Sequence, residues 1–230
     1  PNRVHVIPPG TDLSIAQGIL TLSPRQLTRR LHLAIDSFFR ALADDELATA
    51  IGVVLSGSAS DGTEGLRAIK AAGGITFAQS PESAQFSSMP QSAISAGVVD
   101  FSLSPEAIAN ELARLSRDPY LALAGGAERA DETHSADEGS LPRILAAIRQ
   151  HAKLDLRGYK RPTIRRRVAR RMALRHVGSQ DEYAKSLRDD PGEAKALAQD
   201  ILIHVTSFFR DPVAFEALKQ QILPELLKDK

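Results

Sequence analysis

The sequence predicts an α/β domain with a partial parallel sheet, followed by an all-α helical domain. Residues 1–117 alternate short β-branched runs with helical patterns, which is typical of βαβ units whose strands pair in parallel. Residues 141–230 show only the three- and four-residue apolar spacing of helices. Between them, residues 118–140 carry acids and Gly125-Gly126 without an apolar period, so we predict an acidic, flexible linker.

Each element follows from its local pattern. A continuous apolar run beginning at Ile51 predicts a buried strand. The predicted elements of the first half are a strand at 4–7, a hairpin at 12–22 around Ala16-Gln17, a helix at 35–47, the strand at Ile51, a helix at 63–72, a strand at 74–78, a helix at 90–96, a strand at 98–103 and a helix from Pro105. In the second half, apolar sets at helical spacing begin at Ile144, Ile164, Leu197 and Phe215, and Pro191 and Pro212 lie where a first helical turn tolerates proline.

Composition narrows the class of protein. With 230 residues, 43% hydrophobic and 25% charged, the chain has the balance of one or two globular domains. It has no cysteine, which excludes disulfides and agrees with the cytoplasmic location that we expect. No apolar run reaches the roughly 20 residues of a membrane helix, so we expect no membrane insertion. The strand-like run at 4–7 follows closely on Pro1, and we expect the sequence to be a piece of a longer protein.

One acid lies in the small-residue turn after the strand at Ile51. The turn at 56–62 contains only Gly, Ser, Ala and Asp61, and it passes directly into the helix at 63–72. Ligands of open α/β sheets gather at the carboxyl ends of strands, which makes Asp61 a candidate site residue. Aspartate is also a preferred N-cap, so an equally good interpretation is that Asp61 caps the helix that begins near Thr63.

Other signatures of catalysis or ligand binding do not occur in the sequence. The six histidines show no metal-ligand spacing, so we expect no metal site. There is no phosphate loop of the Walker or dinucleotide type. No serine lies on a Gly-x-Ser-x-Gly elbow, which argues against a nucleophile at 57–60.

One predicted helix of the second half is strongly basic. Its eight basic residues, with no acid among them, are Lys160, Arg161, Arg165, Arg166, Arg167, Arg170, Arg171 and Arg175. Ile164, Val168 and Met172 form its apolar seam, so we predict that most of the guanidinium groups face outward. A field of this kind attracts an anionic partner.

Three interpretations of the basic helix stay open. An acidic protein surface is a suitable partner. Nucleic acid is less favoured, because the net charge is only +1 and no aromatic residues interleave with the arginines. The third interpretation is a solvated face that is partly paired with nearby acids, namely Glu182, Asp189, Asp190 and Glu193.

The first half resembles a known enzyme family through six blocks in one order. They are Val6-Ile7-Pro8-Pro9-Gly10, Ile35-Asp36-Ser37-Phe38-Phe39, Leu55-Ser56-Gly57-Ser58-Ala59-Ser60-Asp61-Gly62, Gly73-Gly74, Ala78-Gln79-Ser80-Pro81-Glu82-Ser83-Ala84 and Met89-Pro90-Gln91-Ser92-Ala93-Ile94. The blocks resemble the C-terminal part of the catalytic domain of the CheB protein-glutamate methylesterases. In that family, a Ser-His-Asp triad hydrolyses methyl esters of receptor glutamates.

This resemblance implies roles for two residues. Asp61 matches the triad acid, which orients the histidine and stabilises its cationic form. Ser58 holds the place where the family contributes a backbone N–H, usually from a Met, to the oxyanion hole, and a backbone donor does not depend on its side chain. The family's nucleophilic Ser and general-base His lie upstream of the matched part, so we expect these 230 residues alone to be inactive as an esterase.

The second half resembles the N-terminal helical domain of the CheR protein-glutamate methyltransferases. The matching residues are Tyr159-Lys160-Arg161-Pro162-Thr163-Ile164-Arg165-Arg166-Arg167-Val168-Ala169-Arg170-Arg171-Met172, Glu182-Tyr183, and Val205-Thr206-Ser207-Phe208-Phe209-Arg210-Asp211-Pro212. The resemblance implies that Thr206 and Arg210 contact S-adenosylmethionine. It also implies that the basic helix approaches the acidic methylation helices of chemoreceptors, with Arg167 at the substrate site.

Together the two resemblances imply part of a CheB/CheR fusion. Such a protein would remove and add methyl groups on receptor glutamates during sensory adaptation and signal transduction. We expect the family's main donor-binding domain beyond Lys230, and therefore weak or no binding of S-adenosylmethionine by this chain. The alternative is a non-catalytic scaffold that docks acidic receptor helices through the basic helix.

Overall fold

The computed structural model describes residues 3–25, 33–117 and 139–202. The strands are β1 (Thr11–Ala16), β2 (Ile19–Pro24), β3 (Ile51–Val54), β4 (Ile75–Gln79) and β5 (Phe101–Leu103). The helices of the first half are α1 (Ala34–Glu46), α2 (Thr63–Ala72), α3 (Ser88–Ser95) and α4 (Pro105–Leu115), and those of the second half are α5 (Leu141–Ala152), α6 (Arg161–Leu174), α7 (Gln180–Asp189) and α8 (Pro191–Leu202). The predicted fold class, a partial parallel sheet followed by helices, is confirmed.

Strands β3, β4 and β5 form a parallel sheet in that order. The register pairs Ile51 with Ile75 and Phe77 with Phe101, and the rings of the second pair stack with centroids 5.1 Å apart. Every residue of the central strand β4 is buried, as expected of a parallel strand covered on both faces. The carboxyl ends of all three strands therefore lie at one edge, where the turn at 56–62 begins.

The hairpin of β1 and β2 is confirmed, although its turn is centred one residue later than predicted. Gln17 and Gly18 form the turn with φ of 54° and 72°, the positive values that a tight two-residue hairpin turn requires. Both of their N–H groups donate to the carboxylate of Asp45 in α1. This contact fastens the hairpin to the first helix.

Two sequence predictions for strands are corrected. Residues 3–8 form no strand, and their apolar side chains are exposed, with Val4 at 93% and Val6 at 84%. The strand predicted at 98–103 is shorter, because Asp100 pairs with Thr76 through main-chain and side-chain hydrogen bonds before the regular ladder begins. The remaining elements of the first half agree with prediction to within about two residues.

The second half has its own apolar core, and one of its helices also packs on the first half. Ile164, Val168 and Met172 lie in the core of the helical half, as the predicted seam requires. Ala173 instead belongs to a cluster with Phe77 of β4 and with α4. Helix α6 therefore bridges the two halves. The predicted linker lies outside the described residues up to position 138, and the domain boundaries stay predictions.

Candidate functional site

The carboxylate of Asp61 is held at the amino end of α1. Its two oxygens accept the N–H of Ile35 at 3.1 Å and the N–H of Asp36 at 2.9 Å. The interpretation that Asp61 caps its own following helix is wrong, because the residue before α2 is Gly62 and no side chain caps that helix. Asp61 caps α1 instead, across a separation of 25 residues.

The side chain of Asp36 in turn contacts the amino end of α2. Its side chain is only 2% exposed and accepts the N–H of Gly65 in the first turn of α2 at 2.7 Å. A Cβ at Gly65 would lie 2.5 Å from the Cβ of Phe39 in α1, so the two helices approach closely because this residue is a glycine. The two carboxylates thus fix the amino ends of α1 and α2 against each other and hold Asp61 in one position.

Hydrogen bonds to the segment after β4 order the start of the turn at 56–62. The N–H of Ser56 donates to Gln79, and the Oγ of Ser56 accepts the N–H of Phe86, both at 2.9 Å. Gly57 donates its N–H to the carbonyl of Phe86 and accepts the N–H of Met89. These contacts anchor the backbone on one side of Ser58, as the contacts of Asp61 do on the other.

Ser58 lies between these anchors and is exposed. Its N–H has no acceptor among the described residues. The next residue, Ala59, has a φ of 67°, a left-handed conformation that a residue other than glycine adopts at some cost in energy. The side chains of Leu55 and Phe86 nearby are 49% and 57% exposed. A backbone donor without an acceptor among the described residues therefore lies in the same turn as Asp61 and near exposed apolar side chains.

The predicted outward orientation of the basic helix is wrong for its central arginines. Arg167 and Arg170 are 1% and 2% exposed. Arg167 donates to the main-chain carbonyls of Lys70, at 3.1 Å, and Ala71 at the end of α2. Burial and two neighbouring arginines lower the pKa of Arg167 to about 10. The residue that the resemblance assigns to the substrate site thus lies in the contact between the halves.

Arg170 connects three separate parts of the chain. Its guanidinium donates to Asp200 of α8 and to Asp100 beside β5, each at 2.5 Å, and to the carbonyl of Gly74 at 2.9 Å. Asp100 also forms a salt bridge with Lys70 at 3.2 Å. A buried guanidinium with three acceptors satisfies its charge inside the protein.

The remaining basic residues in α6 and at its two ends form two groups. Arg171 pairs with Glu193, and Arg175 pairs with Asp190 at 3.2 Å. The interpretation of the basic helix as a solvated face paired with acids is therefore confirmed for Asp190. Glu193 also forms an ion pair but is buried, and Glu182 and Asp189 form no ion pair with the basic helix within the described residues. The second group consists of cations that form no ion pair with any residue in the described ranges, namely Lys160, Arg161, Arg165 and Arg166.

Glu193 is the centre of a buried polar cluster. It accepts the phenolic hydroxyl of Tyr183 at 2.7 Å as well as the guanidinium of Arg171. Burial and the adjacent Glu193 carboxylate raise the pKa of Tyr183 far above its ordinary value. Both partners compensate the buried carboxylate, and removing either of them would leave its charge less compensated inside the helical half.

The predicted residues for S-adenosylmethionine, Thr206 and Arg210, lie outside the described residues, so their roles stay predictions. No cluster of side chains suited to a metal ion occurs within 3–25, 33–117 and 139–202. None of the helices in these ranges is long and apolar enough to cross a membrane.

Sequence reasoning missed Asp36, Asp100 and Asp200. Asp36 lies in the first turn of a helix, where an acid is commonly explained by the helix dipole alone. Asp100 gave a usable signal, since it follows Val98 and Val99 and precedes Phe101. A charge inside an apolar strand pattern requires a buried partner. Nothing in the spacing indicated that the partner would be Arg170, 70 residues away.

We predict that Asp100 makes folding pH-dependent. Burial alone would raise the pKa of Asp100, but Arg170 and Lys70 outweigh burial and hold the pKa below its ordinary value of 3.8. A carboxyl with a lowered folded-state pKa stabilises the fold above its unfolded pKa, and this contribution is lost as the pH falls through the folded value. The difference in unfolding free energy between wild type and Asp100→Asn should therefore shrink below about pH 4.

Urea titrations between pH 3 and pH 7 would measure this difference. Glu64→Gln is a suitable control, because Glu64 pairs with Arg67 at the surface with both side chains about half exposed, and such pairs contribute little. A difference for Asp100→Asn that stays constant across this range would contradict the prediction.

Comparison with protein families shows two matches. Residues 1–112 match the CheB methylesterase family, and residues 140–202 match the all-alpha domain of the CheR methyltransferases. Asp36, Ser58, Asp61 and Asp100 lie within the first match. Arg167 and Arg170 lie within the second.

Individual relatives match either nearly the whole chain or about half of it. An uncharacterized 104.1 kDa protein of Rhodobacter capsulatus is 37% identical over 98% of this chain and 25% of its own length. Protein-glutamate methylesterase/protein-glutamine glutaminase 1 of Geobacter sulfurreducens is 35% identical over 50% of this chain and 33% of its own length. A putative enzyme of the same name from Leptospira interrogans is 36% identical over 50% of this chain and 60% of its own length. The chain thus spans only part of these relatives.

A solved structure, the catalytic domain of Thermotoga maritima CheB methylesterase, aligns with 27% sequence identity and a TM-score of 0.41. The alignment covers 46% of this chain and 57% of that chain.

Proposed function

We propose that the chain is part of a bifunctional chemotaxis protein, because residues 1–112 match the CheB methylesterase family and residues 140–202 match the all-alpha domain of the CheR methyltransferases. This protein removes methyl groups from glutamates of chemoreceptors and adds them with S-adenosylmethionine as the donor. The observation that supports the esterase part is that the fixed carboxylate of Asp61 and the N–H of Ser58 lie in one turn at the carboxyl edge of the parallel sheet.

Asp61 acts as the acid of a Ser-His-Asp triad in this proposal. A carboxylate has about four lone-pair positions, and the N–H groups of Ile35 and Asp36 occupy two of them. The others can accept the ring N–H of a histidine, which sets the tautomer and orientation of that base. Because α1 holds the carboxylate in place, no reorganisation is needed when the histidine becomes cationic.

Ser58 supplies an oxyanion donor. When the nucleophile attacks the glutamyl carbonyl, negative charge develops on the carbonyl oxygen, and a fixed N–H stabilises it. The same acyl transfer releases methanol from an ester and ammonia from an amide. The names of the Geobacter and Leptospira relatives include a glutaminase, so we extend the proposal to receptor glutamine.

The direct test is release of methanol from a receptor fragment that carries glutamyl methyl esters, with the full-length gene product as the enzyme. Saturable release supports the proposal, and the parallel assay on a glutamine-containing fragment measures ammonia. If the gene product releases neither, the esterase part of the proposal is wrong.

In the transferase part of the proposal, α6 binds the acidic methylation helices of the receptors. The cations Arg161, Arg165 and Arg166, which form no ion pair within the described ranges, support it, because positive charge on one helix attracts a partner of opposite sign. Arg167 stays our candidate for the substrate site, and Thr206 and Arg210 for contacts with S-adenosylmethionine. A second candidate function, a non-catalytic scaffold, relies on the same cations and requires neither Asp61 nor a donor.

We predict that the chain binds a helical, glutamate-rich peptide weakly and that the affinity falls as salt rises. Exposed charges are screened beyond about 8–10 Å at physiological salt, so the attraction should be strongest at low ionic strength. Replacing Arg161, Arg165 and Arg166 together by Gln should reduce the affinity roughly tenfold or more at low salt.

Calorimetry can measure this binding, and the same titration with duplex DNA is the control for partner class. Arg157→Gln is a matched control variant, because Arg157 already pairs with Asp155 at 2.6 Å. Equal loss of affinity in the control variant would contradict the assignment to α6. Tighter binding of DNA than of the peptide at matched salt would favour a nucleic-acid function.

A further inference from the structure

The contact between α6 and the first half can open without leaving a buried charge unpaired. If α6 moves away, Asp100 keeps Lys70 at 3.2 Å and the hydroxyl of Thr76 at 2.9 Å. Arg170 keeps Asp200 at 2.5 Å, because both belong to the helical half. Breaking a buried pair costs most when one partner stays buried alone, and here each half retains a partner for its own charge.

Two further polar contacts of this interface, those of Arg167 and Arg114, can be replaced by water. Arg167 donates to the main-chain carbonyls of Lys70 and Ala71 in the last turn of α2. Water can also satisfy the carbonyls at the end of a helix. Arg114, which is 30% exposed in its side chain, donates to the carbonyl of Ala173 at 2.8 Å.

The apolar part of the interface is small. From α6 it consists of Ala173, which is completely buried, and the half-buried Leu174, against a cluster that includes Phe77 and Leu115. Contacts between domains that are polar and limited in area permit relative motion. These features permit the two halves to separate.

We propose that the surface formed by Arg167, Arg170 and Ala173 has two mutually exclusive partners, the first half of this chain and an acidic helix. The inference rests on the proposed function, which gives acidic receptor helices to α6. The first half offers these arginines the carbonyls of α2 and the carboxylate of Asp100. An acidic helix offers the same chemistry with its side chains, so it must displace the first half to reach Arg167.

A pair of Ala→Glu variants in this chain tests the competition. Ala173→Glu places a charge in the interface cluster but not in the core of the helical half, so it should separate the halves and leave α6 folded. Ala169→Glu adds the same charge to the same helix, and Ala169 belongs to neither cluster. Electrostatics alone predicts weaker binding of a glutamate-rich helical peptide by both variants.

If the two partners compete, Ala173→Glu should instead bind the peptide more tightly than wild type, by roughly tenfold, because the arginines no longer have to be released first. Ala169→Glu should bind more weakly than wild type. Equal weakening by both variants, with both folded by circular dichroism, would overturn the inference.

A second measurement does not depend on the folding of Ala173→Glu. The sequence has no cysteine, so cysteines at the exposed positions Ala109 of α4 and Lys185 of α7 would carry a unique pair of fluorophores. Saturating peptide should lower energy transfer between them, and a glutamine-substituted peptide should not. Binding with unchanged transfer overturns the competition and leaves the proposed docking intact, whereas no binding at low salt overturns both.

Discussion

Replacing Asp61 by Asn in the full-length gene product should lower glutamyl methylesterase turnover by about 10⁴-fold. The amide cannot stabilise the cationic histidine, and its NH₂ favours the wrong tautomer of the base. The assay is methanol release under saturating substrate. Because the proposed role of Asp61 is electrostatic and orienting, we expect the loss in kcat rather than in KM.

The same substitution should also cost some stability, which the structure explains. Both oxygens of Asp61 accept a backbone N–H, and Asn offers only one oxygen, so its NH₂ would face a donor. We expect a loss of about 1–3 kcal/mol in the free energy of unfolding. The activity must therefore be measured at a temperature where the variant is fully folded.

Asp45→Asn is the matched control for this loss. Asp45 also accepts two backbone N–H groups with its two oxygens, those of Gln17 and Gly18. These donors belong to the hairpin turn and not to the turn at the carboxyl edge of the parallel sheet. The Asp45→Asn variant should lose comparable stability and keep wild-type turnover. If Asp61→Asn retains wild-type turnover, Asp61 serves only to cap α1, and the triad role is wrong.

The local elements of the fold were predictable because their signals are local. The helix at 63–72 agrees residue for residue with prediction, since an apolar period and a glycine at its end, Gly73, define it without reference to the rest of the chain. Strand β4 was equally clear as a short β-branched and aromatic run. These patterns do not depend on which residues are neighbours in space.

The contacts that define the site were not predictable in the same way. Asp61 and Thr63 are close in sequence, so a local cap was a reasonable interpretation, yet the donors come from α1, 25 and 26 residues away. For α6, the seam of Ile164, Val168 and Met172 was correct. We predicted that the opposite side of α6 is exposed to solvent, because the pattern of a single helix cannot show that the first half of the chain covers it.

Outside the candidate esterase site, we expect the largest effect on stability from the loss of Arg170. Replacing Arg170 by Ala should lower the free energy of unfolding by about 3–5 kcal/mol. Among the described residues, Asp200, which is 6% exposed, would keep only Arg171 as a cationic partner, whose nearest nitrogen is 4.0 Å away. Asp100 would lose one of its two cationic partners, and the carbonyl of Gly74 would lose its guanidinium donor.

Chemical denaturation of wild type, Arg170→Ala and Arg175→Ala would measure this effect. Arg175 directly follows the last residue of α6 and pairs with Asp190, but both side chains are more than 40% exposed, so its removal should cost no more than about 1 kcal/mol. The double variant Arg170→Ala/Asp200→Asn should recover part of the loss, because it no longer buries an uncompensated carboxylate. A cost for Arg170→Ala as small as that for Arg175→Ala would mean that water reaches Asp200 and that the guanidinium is not essential to the contact between the halves.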